Sequence, residues 1–305
     1  MARIIPFVSR QRGLPNSLLP EPFATDFSIE VMPRSARKIE DFRSILPAQT
    51  RVYVGEIEGT PWPDMLHTAS RLSTVGFAVV PHLRARAIAN AVELEERSSA
   101  YAEAGVCRAL VIAGGVATPR GDFREADQLL RSGLFDRYGF REIFVAGHPE
   151  GNSDIDPSGG HHNAMDALRR KAAFQADTDM RMAITTQFGF EAGRIIGWAE
   201  QLAANGIHLP IHLGVAGPAK LQTLIKYAMA CGVGPSLRVL QRRAADLSKL
   251  IKPFEPTDML AEIAVHKQAN PAFPVERVHF FPLGGIRATT EYAAGAGAHP
   301  IRAHA

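Results

Sequence analysis

Cysteine is scarce in this 305-residue chain, which has only Cys107 and Cys231. Two cysteines make neither a disulfide framework nor a zinc pattern, so they read as core or surface thiols of a reducing compartment. Long apolar runs are missing too. Nothing approaches the roughly 20 residues that cross a bilayer. The apolar run at 4–8 has five residues, too few for the core of a secretion signal. The expected location is the cytoplasm, with no membrane attachment. Neither sign of charge dominates, since 34 Lys+Arg against 31 Asp+Glu leave a net +3 and a pI near 9.0. The basic residues are dispersed and lack interleaved aromatics, which argues against a nucleic-acid partner. The densest basic stretch, LRVLQRRAADLSKLIK (237–252), sets Arg238, Arg242 and Lys249 at near-helical spacing. It reads as a solvated helix face, with a contact for an anionic substrate tail as the alternative.

Several catalytic signatures are absent as well. No His/Cys/Asp cluster has metal-ligand spacing, and the adjacent His161 and His162 of GGHHN (159–163) are a poor chelate on a loop. No serine stands in a nucleophile elbow. No lysine ends a strand, which disfavours Schiff-base chemistry.

What is present is a regular alternation. Eight runs read as strands: FSIEV (27–31), RVYVGEI (51–57), FAVVPHL (77–83), RALVIAG (108–114), EIFVAGHP (142–149), RMAITTQF (181–188), PIHLGVAG (210–217) and RVHFFPLG (277–284). Amphipathic helical patterns lie between them, such as AIANAVELEERSSAYAEAG (87–105), and several end in a glycine suited to a helix C-cap. Strand-then-helix order implies parallel strands with crossover helices, and eight units match a closed (β/α)8 TIM barrel. A doubly wound sheet is the alternative, but the turn after the first strand, EVMPRSARK, lacks its glycines. The expected layout is an N-terminal extension at 1–22 and one barrel domain at 23–305, with extra helices at 235–276 before the last strand.

Within FSIEVMPR (27–34), alternation puts Phe27, Ile29 and Val31 on one face and Ser28, Glu30 and Met32 on the other. In a barrel the second face points inward, so Glu30 lies in the top layer, where active sites of this fold gather. His82, Gly114, Gly115, His148, Glu150, Gln187, Gly284 and Gly285 collect at the same ends of other strands. Singly, each is ordinary turn or hydrogen-bonding chemistry. Together they outline a pocket with one carboxylate among neutral polar groups, which suits a bound organic cofactor that performs a redox step.

The chain resembles the methylenetetrahydrofolate reductase family over roughly 25–290. The resemblance rests on FSIEVMPR, PHL (81–83), AGHPEGNSDID (146–156), LRRK (168–171) and AITTQFGFE (183–191), in order. It implies a flavin-dependent barrel that interconverts methylene- and methyltetrahydrofolate with FAD as cofactor and NAD(P)H as co-substrate. It casts Glu30 as the general acid that assists ring opening, with partial burial raising its pKa. His82, Ala113, Gly114, Gly115, Ala146, His148, Asn152 and Lys171 would hold FAD, with Lys171 near its phosphates. Gln187, Phe188 and Arg287 would meet the folate. The implied partner is a reduced folate, and homo-oligomerisation stays open.

Several positions depart from the family pattern. Gly115 or Val116 stands where an aspartate is usual, with Asp122 as a distant substitute. Gly55 replaces a threonine, Gly285 an arginine, and GVAG (214–217) a Pro-Gly-Ile-Leu-Pro segment. Two alternatives therefore remain: a flavin-independent NAD(P)H-dependent reductase of a one-carbon pterin, or a folate-binding barrel without catalysis.

Overall fold

Eight parallel strands pair in sequence order and close between the last and the first. They are β1 (Phe27–Val31), β2 (Arg51–Val54), β3 (Ala78–Arg84), β4 (Arg108–Ile112), β5 (Glu142–Gly147), β6 (Arg181–Thr186), β7 (Ile211–Ala216) and β8 (Val275–Phe281). This computed structural model describes residues 23, 26–231, 240–241 and 253–295. The extension assigned to 1–22, and Arg238, Arg242 and Lys249 of the basic stretch, lie outside the described residues. The TIM barrel expected from the alternation is the fold, and every strand run expected from sequence overlaps an observed strand, with β3 running one residue past its run and β8 starting two residues before its run.

The helices that matter for the site follow β1 to β8 in turn. They are α1 (Pro33–Ala36), α2 (Trp62–Thr74), α3 (Ala91–Glu103), the short pair α4 (Ala126–Leu130) and α5 (Leu134–Arg137), α6 (His162–Ala173), α7 (Ala192–Ala204), α8 (Leu221–Ala230), α9 (Thr257–Ala269) and α10 (Ile286–Gly295). In the interval 235–276, where extra helices are expected, α9 is observed, while 235–239 and 242–252 lie outside the described residues.

Branched side chains explain the packing. Ile29, Val52, Val79, Val111, Val145, Ile184, Leu213 and Val278 face outward and join the main core under the helices. Parallel strands buried on both faces favour such residues. The alternate positions Tyr53, Val80, Leu110, Phe144 and Ala183 form a separate apolar cluster inside the barrel. Below them, at the N-terminal end, Glu142 binds Arg51 at 2.9 Å, Arg108 at 3.2 Å and Arg181 at 2.7 Å. The Arg51 guanidinium also covers the Phe144 ring, 5.4 Å from its centroid. This charged plug seals one end and leaves the other for chemistry.

Burial alone would raise the Glu142 carboxyl, but Arg51, Arg108 and Arg181 together hold it below its ordinary value. Its folded-state value is depressed, so its contribution is present above the unfolded value and lost as pH falls through the folded one. Removing the anion also strands the buried part of Arg51. Glu142→Gln is expected to cost about 3 kcal/mol in urea unfolding at neutral pH, with the gap to the native chain closing as pH drops below about 4.

Candidate functional site

The C-terminal ends of the strands open on a cavity of about 620 Å³, a size that takes a cofactor or a drug-sized ligand. Glu30, His82, Ala113, Gly114, Gly115, Ala146, His148, Asn152, Lys171 and Gln187 all line it. Residues far apart in sequence thus meet as the strand-end reading expects. Phe188 and Arg287 are not in the lining. Phe188 is buried in a neighbouring aromatic cluster and packs on Phe281, which does line the cavity, with ring centroids 5.4 Å apart. Arg287 is exposed on the first turn of α10.

Glu30 sits in the top layer with both imidazole contacts on one oxygen. His82 Nε2 is 3.2 Å from Oε2, and His279 Nε2 is 3.9 Å from it. The His82 nitrogen is close but out of line for a hydrogen bond, so this contact is chiefly coulombic. Burial alone would push the Glu30 carboxyl up; His82, aided by contacts with His279, outweighs it and brings the value down to about 2. The expectation that burial raises this pKa is therefore reversed. Glu30 is an anion in this site.

His279 is not among the residues that the sequence reading singles out. The alternation of VERVHFF (275–281) could have found it, because Arg277, His279 and Phe281 share the inward face. His279 is fully buried, and burial lowers its pKa against the opposing pull of Glu30. Tyr53 packs 4.3 Å from it, centroid to centroid, and places its hydroxyl 3.0 Å from Thr185 Oγ1.

The far part of the cavity carries charges of both signs, with Arg86, Arg170 and Lys171 set among Glu125, Asp127, Asp154 and Asp166. Three of these carboxylates pair with arginines: Glu125 with Arg170, Asp127 with Arg131 and Asp166 with Arg169. Lys171 has no carboxylate within 4.0 Å among the described residues, and burial beside Arg170 lowers it to about 8. Arg86 spends two nitrogens on the carbonyls of Arg124 and Val116, each at 3.0 Å, and none on a carboxylate among the described residues. Burial, with the Lys171 charge adding, takes His148 down to about 4, so it is neutral at pH 7. Arg86, Glu125, Asp127, Asp154, Asp166 and Arg170 escape the sequence reading because they reach the cavity from loops and helices.

The family departures have physical counterparts. A Cβ at Gly55 would stand 2.6 Å from Met32 Sδ and 3.1 Å from Glu30 Oε1, so Met32 occupies the room a threonine would need. Gly114 has a φ of +93°, a conformation glycine adopts freely. A Cβ at Gly115 would meet nothing within 4 Å, so the position is open toward the cavity. Asp122 is exposed and outside the lining, and does not substitute for an aspartate there.

Other strand-end residues serve the scaffold. Glu150 Oε1 accepts from the Phe190 backbone N–H at 3.2 Å, and Gln187 Oε1 accepts from that of Phe188 at 3.1 Å, leaving the Gln187 amide nitrogen available. Asp156 caps the start of α6 through Asn163 and Ala164 N–H at 2.8 and 3.1 Å. His162 is solvated beside Asp166. Among the described residues no group of three or more His, Cys, Asp or Glu could hold a metal, and no helix is long and apolar enough to cross a membrane.

Glu30's depressed value stabilises the fold above the unfolded carboxyl value of 4.5 and loses that contribution as pH falls toward 2. Glu30→Gln is therefore expected to unfold more readily than the native chain at pH 7. Chemical denaturation should show that gap narrowing by about 3 kcal/mol between pH 5 and pH 2.

No family model matches the chain. Among solved structures it is similar to an uncharacterized protein from Clostridium thermocellum that binds two copies of 5-methyl-5,6,7,8-tetrahydrofolic acid. That match has a TM-score of 0.56 at 9% identity and covers 88% of this chain and 95% of the other. A putative phosphonomutase from Burkholderia cenocepacia gives 0.48 at 14% identity, over 84% and 86% of the two chains. Dihydropteroate synthase from Thermus thermophilus gives 0.44 at 12% identity, over 90% and 93%. At these identities the first likeness shows the barrel fold alone, and the two weaker ones carry no argument.

Proposed function

We propose that the cavity binds a reduced folate and that the protein interconverts its methylene and methyl forms, using FAD as cofactor and NAD(P)H as reductant. The observation that carries this reading is the convergence of Glu30, His82 and Gln187 with the cations Lys171 and Arg86 in one cavity. The binding of methyltetrahydrofolate by the Clostridium protein of the same fold lends it support.

The residues present fit a flavin. Gly115 leaves backbone open to a flat ring, and Ala146 and Ile112 supply apolar wall. Lys171 and Arg86 match phosphates by charge. FAD, when bound, supplies the ring that accepts and passes on the hydride. The chain's own residues handle the proton and the pose. His82 passes a proton to the folate nitrogen, and Glu30 stays beside it as the anion that orients the imidazole. Gln187 offers its amide nitrogen to the pterin. Tyr53 and Phe144 close the floor and keep water out from below.

A second reading is a barrel that binds a reduced folate without turning it over. The ionised state of Glu30 favours it, because a fixed carboxylate accepts from a pterin N–H as readily as it supports a proton donor.

An anaerobic absorbance spectrum separates the two. A flavin band bleached by NAD(P)H and restored by methylenetetrahydrofolate is the expected result. Glu30→Gln and His82→Gln should then each slow the folate half-reaction by about 10²–10⁴-fold. A protein that stays colourless with added FAD and binds 5-methyltetrahydrofolate without turnover supports the second reading.

A further inference from the structure

His279 lies at the seam where β8 meets β1, and the function proposed above gives it no task. Its register partner is Ser28, and the two share the inward face of the barrel with Glu30. The imidazole meets a different partner on each nitrogen: Ser28 Oγ lies 3.0 Å from Nδ1, and Glu30 Oε2 lies 3.9 Å from Nε2. All three residues are buried, with Ser28 and His279 at 0% exposure and Glu30 at 6%.

An ionised carboxylate only accepts, so Glu30 favours a hydrogen on the nitrogen facing it, but at 3.9 Å and without a hydrogen bond it does not fix one there. With the hydrogen there, the other nitrogen of a neutral imidazole accepts, and Ser28 must donate to it. The opposite tautomer would set a lone pair against the carboxylate. It would also turn the Ser28 hydroxyl to the Val278 carbonyl at 3.5 Å, a poor hydrogen bond. Tyr53 packs on the ring but commits its hydroxyl to Thr185, so it does not compete for Nδ1. The other charged groups near this imidazole are His82 on β3 and Arg51 on β2.

We propose that Ser28 and His279 are positioning residues for Glu30: Ser28 fixes the Nε2–H tautomer of His279, whose N–H then faces Oε2 and draws that oxygen to its side by charge, leaving Oε1 for the ligand. His82 approaches Oε2 as well, so Oε1 bears no ion pair among the described residues. On its side stands Gly55, which has no side chain to offer a donor. The ligand-facing role of Oε1 rests on the reading of the cavity as a folate site; the tautomer does not.

The test is the imidazole ¹⁵N spectrum of the full chain labelled at its 11 histidines, with His279 assigned by the signals lost in His279→Gln. At about pH 8, where an unperturbed imidazole is neutral, His279 is expected as the Nε2–H tautomer. Ser28→Ala should convert it to a mixture and weaken 5-methyltetrahydrofolate binding by about tenfold, with the circular dichroism spectrum unchanged. Ser28→Thr, which restores the hydroxyl, should recover the tautomer. A native Nδ1–H tautomer, or an unaltered Nε2–H tautomer in a folded Ser28→Ala chain, would overturn the proposal. A native chain that shows the Ser28-dependent tautomer yet binds no reduced folate upholds the positioning and removes the folate reading instead.

Discussion

One carboxylate held between two imidazoles organises the functional end of this barrel. Glu30 is carried inward by the alternation of β1 to a point where β3 offers His82 and β8 offers His279. Desolvation of a buried carboxyl normally favours its neutral form, but here two basic groups on nearby strands win. The fixed negative charge sets the character of everything around it. It favours a hydrogen on the His279 nitrogen that faces it, and it holds His82 at the cavity wall.

The cavity has two parts that follow from its construction. The inner layer belongs to strands, whose side chains are placed within narrow limits by pleat and register. Glu30, His82, Thr185 and His279 project there from the barrel itself. The outer part, where Arg86, Arg170 and Lys171 stand among Glu125, Asp127, Asp154 and Asp166, is built by loops and by helices α4 and α6. The plug around Glu142 closes the opposite end, so charge at the two ends of the barrel serves separate purposes.

Much of this is legible in the sequence. Strand-then-helix order repeated eight times points to a closed parallel barrel, and the inward direction of Glu30 follows from its place between Ile29 and Val31. His82, His148, Gln187 and Lys171 can be singled out because strand ends and local segments mark them. Two things are not legible. The downward shift of Glu30 comes first from His82 and further from His279, which sits about 250 positions away in sequence and becomes a neighbour only when β8 pairs with β1. Arg86 and the acids of α4 enter from connections whose paths no strand pattern reveals. Phe188 and Arg287 show the converse limit. Adjacency to a strand end does not fix orientation, and neither residue joins the cavity lining. The exchange of room between Gly55 and Met32 likewise requires knowing how closely β1 and β2 approach.

The central claim is that a reduced folate occupies the cavity at the C-terminal ends of the strands. Calorimetric titration of 5-methyltetrahydrofolate into the native chain and into Ala146→Trp tests it most directly, because a large ring at Ala146 fills the cavity wall without replacing any charged group of the site. The account predicts saturable binding to the native chain that is lost in the variant while its thermal unfolding stays cooperative. Undiminished binding by a folded Ala146→Trp chain, or none by the native one, would contradict it.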